Sequence, residues 1–336
     1  MRYIGAVASR KTLENKLARL SELSGDEDAD EARRELTRSL ADKSAHVVAR
    51  AAAVVGELGI AELAPELESS LEPFYDEPEK TDKGCIAKTA IIKCLAKLDE
   101  GSPEVFLRGL HHVQLEPAYG GAVDTAVELR CESALGLVAS GYPDTVNELV
   151  TALTDQQAPV RLAAVRALAA TGRSEVEALL RYKTLLGDED LQVVSDALES
   201  LLVIAPRRSL PLAKRLLDSN DEAVAEAAAL ALGGSRCEEA FELLISRVGD
   251  FDFDLPLTQT IFLALSMLRR EESIAFLIDL AATAPRRRAE NVIKALAIHR
   301  YDPKVRQRLD KALGKRKDKL VLLALCAREF GANDNV

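Results

Sequence analysis

An apolar stripe that returns about every 32 residues constrains this chain more than any other feature. In LTDQQAPVRLAAVRALAATG, residues 153–172, Val160 is followed by Ala164, Ala167 and Leu168 at offsets of 4, 7 and 8. That spacing sets all four on one face of a helix with 3.6 residues per turn. The stripe recurs from anchors at Val47, Ala87, Val127, Val160, Val193, Val224, Leu257, Ala289 and, more weakly, Lys319. At offset 4 stand Ala51, Ile91, Cys131, Ala164, Ala197, Ala228, Ile261, Ile293 and Leu323; at offset 8 stand Val55, Leu95, Leu135, Leu168, Leu201, Leu232, Leu265, Ala297 and Ala327. All eighteen are apolar in a chain whose hydrophobic content is 48%, so the pattern is a design and not an accident.

Shorter amphipathic segments lie between these helices, for example PDTVNELVTALTD (143–155) and PRRSLPLAKRLLD (206–218). Pro103, Pro143, Pro206 and Pro303 sit near first turns, where a fixed φ and a missing N–H do no harm. Each repeat therefore reads as a helical hairpin. One hairpin cannot bury its apolar face alone, so neighbours must stack into a continuous core. The expected fold is all-α, an α-solenoid whose inward alanines let adjacent helices approach closely. The aromatic content agrees, with 8 Phe, 6 Tyr and no Trp, poor material for a β-sandwich. The array is expected over residues 27–330, with a capping helix in 1–26 and a flexible tail at 331–336.

DQQAPVRLAAVRALAATG, residues 155–172, resembles the HEAT-like repeats known from phycobilisome lyases, which pair an acidic turn with a V-R-x-x-A-A-x-A-L helix. Asp155, Val160, Arg161, Ala163, Ala164, Ala167 and Leu168 carry the likeness. DKSAHVVARAAAVVGELG (42–59) is a looser match without Arg after Val47. The resemblance implies a right-handed superhelix of about nine HEAT-like hairpins. It specifies a fold unit shared by scaffolds and a few enzymes, and function has to be argued from sites.

Successive anchors are 40, 40, 33, 33, 31, 33, 32 and 30 residues apart. Two consecutive repeats are therefore too long, and the extra length falls between the helices of the hairpin, at residues 72–84 (EPFYDEPEKTDKG) and 111–123 (HHVQLEPAYGGAV). Insertions at equivalent places in stacked repeats emerge on one edge. Phe74, Tyr75, His111, His112, Glu116 and Tyr119 are thus expected to gather there as a partner-binding surface, with Asp76, Glu77 and Glu79 favouring a basic partner.

Charge is as uneven as the spacing. The formal net charge is −10, which argues against a surface that grips nucleic acid throughout. Between Arg286 and Lys319, however, 13 Lys or Arg face 4 Asp or Glu. Arg286, Arg287 and Arg288 open one helix and Lys315, Arg316 and Lys317 precede another, so stacking is expected to bring them together as a site for an anionic partner, RNA included. Five cysteines without CxxC spacing fit free thiols in a reducing compartment. The first residues lack the apolar stretch of a signal peptide, and no run approaches the ~20 residues of a membrane helix. A cytoplasmic protein is expected.

Catalytic readings meet specific obstacles. His111 and His112 are adjacent, so they diverge by about 100° on a helix or point to opposite faces of a strand. With no HExxH spacing, neither a metal nor any other cofactor is expected. Cys94, Cys131 and Cys326 occupy stripe positions and read as core. Cys85 stands where a helix N-terminus would stabilise a thiolate. Gly233 and Gly234 look like a helix stop. Deoxyhypusine hydroxylases as a family bind iron through His-Glu pairs, and no His-Glu dipeptide occurs here. The alkylpurine DNA glycosylases of this fold use a basic face with tryptophans, and this chain has none. The reading that results is a non-enzymatic scaffold or adaptor binding another protein along the concave face or the insertion edge. The alternative, implied by the resemblance, is a phycobilin-lyase-like enzyme or chaperone acting on a tetrapyrrole-carrying protein.

Overall fold

The computed structural model describes residues 13–23, 29–248 and 256–331, and its contacts divide the chain into two units, Met1–Gly172 and Arg173–Val336. In the first unit the long helices Ala45–Leu58, Ile86–Lys97, Val127–Ala139 and Ala158–Ala170 pack each on the next. Ala29–Leu40, Ala64–Ser69, Pro103–Leu110 and Thr145–Ala152 lie against them. The second unit repeats the plan, with Leu191–Ile204, Glu222–Ser235, Pro256–Met267, Arg286–Leu296 and Lys319–Phe330 in sequence. Val176–Leu186, Pro206–Leu217, Ala240–Ser246, Glu271–Thr283 and Pro303–Leu313 are their counterparts. This serial packing of helical pairs is an all-α solenoid, broken among the described residues by one two-stranded hairpin. Of the expected capping segment 1–26, residues 13–22 form a helix, while 1–12 and 24–26 lie outside the described residues, as do 332–336 of the expected tail.

The acidic turns ahead of the long helices have a mechanical use. Asp190 accepts the N–H of Gln192 at 2.9 Å and Asp221 that of Ala223 at 3.1 Å, satisfying donors that a helix start leaves unpaired. Within the long helices the buried face extends beyond the stripe. Counting from each anchor, offsets 1, 4, 5 and 8 are buried in five helices: Val48, Ala51, Ala52 and Val55; Lys88, Ile91, Ile92 and Leu95; Val194, Ala197, Leu198 and Leu201; Ala225, Ala228, Ala229 and Leu232; and Thr258, Ile261, Phe262 and Leu265.

Two helices depart from the expected register. In Val127–Ala139 burial falls on Leu129, Arg130, Ser133, Ala134, Gly136 and Leu137, with Ala126 buried just ahead of the helix, while Leu135 is 45% exposed. Arg130 lies inward here, paired with Asp124 and Asp155, and a shift of one residue is about 100° of helix turn. In Lys319–Phe330 the buried residues are Leu322, Cys326 and Phe330, and Ala327 is exposed. The presumed stop at Gly233 and Gly234 also fails, since the helix runs on to Ser235. A Cβ on Gly233 would lie 2.6 Å from the carbonyl oxygen of Ala264, so this glycine lets two backbones touch.

Neither insertion is a slack loop. The first winds into the single turns Glu72–Tyr75, Pro78–Thr81 and Lys83–Cys85. The second forms the hairpin of β1, Leu115–Ala118, and β2, Gly121–Asp124, paired antiparallel from Leu115↔Asp124 to Ala118↔Gly121. Its two-residue connection is Tyr119-Gly120, and Gly120 takes the φ of 95° that the reversal needs.

Candidate functional site

The two insertions meet, as their equivalent positions require. The backbone N–H of Gly84 donates to the Glu116 carboxylate at 2.6 Å, and the Gln114 amide donates to the carbonyl of Asp82 at 2.8 Å and to Glu116 at 2.7 Å. Thr125 adds its hydroxyl to Glu116 at 3.0 Å. Glu116 is thereby buried with three donors converging on its Oε1. Burial alone would raise its pKa, but these donors outweigh burial and hold the carboxyl below its ordinary range.

Below the hairpin lie two buried ion pairs. Lys88 meets Asp82 and also donates to the carbonyl of Phe74 at 2.9 Å. Asp82 further accepts the N–H groups of Ala87 and Lys88, so it starts the helix Ile86–Lys97. Arg130 reaches Asp124 at 2.7 Å, Asp155 at 2.9 Å and the carbonyl of His112 at 3.0 Å. For Asp124, too, burial raises the pKa while Arg130 and the Ala126 N–H lower it further, leaving it depressed.

The expected partner-binding residues separate into two groups. Phe74 and Glu116 are inside, 2% and 6% exposed, and serve the fold and not a surface. Tyr75 is wedged between the Arg108 guanidinium, 3.7 Å from its ring centre, and the edge of His112 at 5.0 Å. His112 is half-buried, and burial lowers its pKa. His111 faces outward and its ring meets Glu148 at 2.8 Å. The neighbouring histidines thus serve different partners. Tyr119 is wholly exposed at the hairpin tip, and Leu115 and Val123 on the strands and Val113 just ahead of them are more than half exposed. These three escaped sequence reasoning, although alternation around Tyr-Gly-Gly is a hairpin signal.

Cys85 is not the activated thiol that its place before a helix suggests. It is completely buried, and burial pushes its pKa up to about 12, so the side chain is a neutral thiol. Among the described residues no group of three or more His, Cys, Asp or Glu side chains could hold a metal ion, and no helix is long and apolar enough to cross a membrane.

The basic residues divide likewise. Arg316 donates to the carbonyls of Ala281, Ala282 and Ala284 and pairs with Asp318 at 2.8 Å, so it ties the start of one helix to the segment just ahead of Arg286. Arg288 is partly buried against the carbonyl of Val248, 2.9 Å away. Arg286 pairs with Glu290 at 2.7 Å on the surface. Arg287, Lys315 and Lys317 are exposed.

No curated protein matches the chain. Among solved structures it is similar to an engineered protein at 16% identity, covering 96% of this chain and 95% of that one with a TM-score of 0.34. It is similar also to the complex of CpcE and CpcF of phycocyanin lyase from Nostoc sp. PCC7120, at 15% identity, 92% and 98% coverage and a TM-score of 0.35. Human deoxyhypusine hydroxylase is similar at 17% identity, 79% and 98% coverage and a TM-score of 0.29. None of these likenesses bears on activity. HEAT repeats match residues 121–203 and 209–297, together more than half of the sequence, and the chain belongs to the HEAT-repeat family.

Proposed function

We propose that this chain is a non-enzymatic scaffold that binds another protein through the hairpin of its second insertion. One observation carries the reading: a hairpin clamped at its base by the buried Glu116 presents Val113, Leu115, Tyr119 and Val123 to solvent. A rigid apolar projection loses little conformational entropy on binding, and tyrosine is enriched at interface hot spots. Asp76, Glu77 and Glu79 are exposed on the adjoining insertion and favour a basic partner. No cofactor is invoked, because the site's polar groups are spent on holding the hairpin.

The test is affinity capture with the wild type and with Leu115→Ser combined with Tyr119→Ala, followed by mass spectrometry. Both side chains are exposed, so the double variant should melt with the wild type. Partners that are enriched on the wild type should be lost from the variant. Equal capture by both would remove the hairpin from the proposal, and turnover of a small substrate by the purified chain would remove the scaffold reading.

A further inference from the structure

The helix Pro303–Leu313 buries Val305, Arg306, Leu309 and Leu313, and the face opposite them is a row of cations. Lys304, Arg308, Lys311 and Lys315 follow one another at steps of four, three and four residues. That spacing keeps them within about 60° of arc and sets them ~4.5–6 Å apart along the axis. Gly314 holds helical angles, φ −57° and ψ −21°, so Lys315 continues the line beyond the last turn. The three lysines are exposed, and Arg308 meets Glu271 at 2.8 Å. Asp310, the one acid between 303 and 315, lies off the row and is taken by Arg306 at 2.8 Å. Just ahead of the helix Tyr301 is 85% exposed, with the Arg300 guanidinium 4.9 Å from its ring centre.

We propose that this row binds the backbone of a single-stranded nucleic acid. Such a strand carries a charge on every unit, and its phosphates, freed from the ~3.4 Å rise of a duplex, can spread to match the cations. An acidic protein helix would match the charges alone and leave Tyr301 and Arg300 unused, whereas bases stack on an aromatic ring and on a guanidinium plane. The row is one helix wide. Glu272 and Asp279 are exposed on the neighbouring helix Glu271–Thr283, so the second strand of a duplex would meet carboxylates. The net charge of −10 on the whole chain is no obstacle, because salt screens exposed charges beyond about 8–10 Å. Lysine, a compact charge on a flexible stem, suits contact with a backbone and carries no sequence preference.

Fluorescence anisotropy of a labelled oligo-uridylate of about 12 nucleotides, with the whole chain at about 50 mM salt, tests this. Affinity should fall as salt rises, with a slope of log K against log salt of about −3, from ~0.7 per phosphate contacted. Lys304→Gln, Lys311→Gln and Lys315→Gln together should weaken binding at least tenfold and flatten that slope by about 2. Circular dichroism and the melting temperature should stay at wild-type values, because all three side chains are exposed. Tyr301→Ala should weaken binding about fivefold or more and leave the slope alone. Removing the same charge at the exposed Arg207, Lys214 and Arg215 should change affinity by less than about twofold. Absence of binding at about 100 μM chain overturns the proposal, and so does an equal loss in that control variant. Tighter binding of an RNA duplex would overturn the single strand, and polyglutamate displacing the oligonucleotide charge for charge would assign the row to an acidic protein instead.

Discussion

Lys88 Nζ lies 2.9 Å from the Asp82 carboxylate, and neither side chain is exposed to solvent at all. A buried pair of this kind adds little by itself, because desolvation offsets the attraction, but loss of one partner strands the other charge. Lys88→Met should therefore destabilise the first unit by about 3–5 kcal/mol in urea unfolding. A change under about 1 kcal/mol would mean that Asp82 finds another partner, water included, when Lys88 is gone.

The Tyr75 hydroxyl is buried without a hydrogen-bond partner. Removing an unsatisfied group from an otherwise packed ring relieves a desolvation penalty. Tyr75→Phe keeps the stacking on Arg108, so its melting temperature should equal or exceed that of the wild type. A clear fall would show that the hydroxyl has a bonded partner in solution.

Acid should weaken the first unit in two steps. His112 has a pKa lowered below 6.5 by burial, so the unfolded chain takes up that proton first and stability falls as pH drops below about 6.5. Glu116 and Asp124 have depressed pKa values, so their contribution is present above their ordinary values of 4.5 and 3.8 and is lost as pH falls through the lower folded values. Thermal melts from neutral pH downward should show both steps. His112→Gln should abolish the upper one and Glu116→Gln should shrink the lower one.

Gly233→Ala would normally favour a helix, yet here the new Cβ would press 2.6 Å from the Ala264 carbonyl and 2.7 Å from its Cα. Backbone cannot step aside as a flexible side chain can. The substitution should cost about 1–3 kcal/mol, measured by chemical denaturation.

Arg316→Ala should lower the melting temperature, since three carbonyls lose their donor, whereas Lys315→Ser with Lys317→Ser should leave it unchanged. Equal effects would show that the run acts only through its summed charge.

The sequence reveals the repeat because alanine and leucine at fixed offsets have one economical use, helices packed side by side. Val47, Val160 and Val193 are buried where periodicity predicts. The site is less legible because its determinants are polar and distant in sequence. Nothing in the pattern around Val127 announces that Arg130 would be inward, since its partners Asp124 and Asp155 come from different turns. Phe74 and Tyr119 look alike as aromatics on an insertion, and only packing separates the one inside the fold from the one at the hairpin tip.

The clamp under the hairpin also sets an order of assembly. The hairpin depends on Gln114 reaching back 32 residues to Asp82, and on Arg130 joining His112, 18 residues away, to Asp155, 25 residues away. It can lock only after the helices Ile86–Lys97 and Val127–Ala139 are both in place. The hairpin thus cannot become rigid ahead of the two helices that anchor it, and a chain interrupted before that step would display Tyr119 on an unanchored strand.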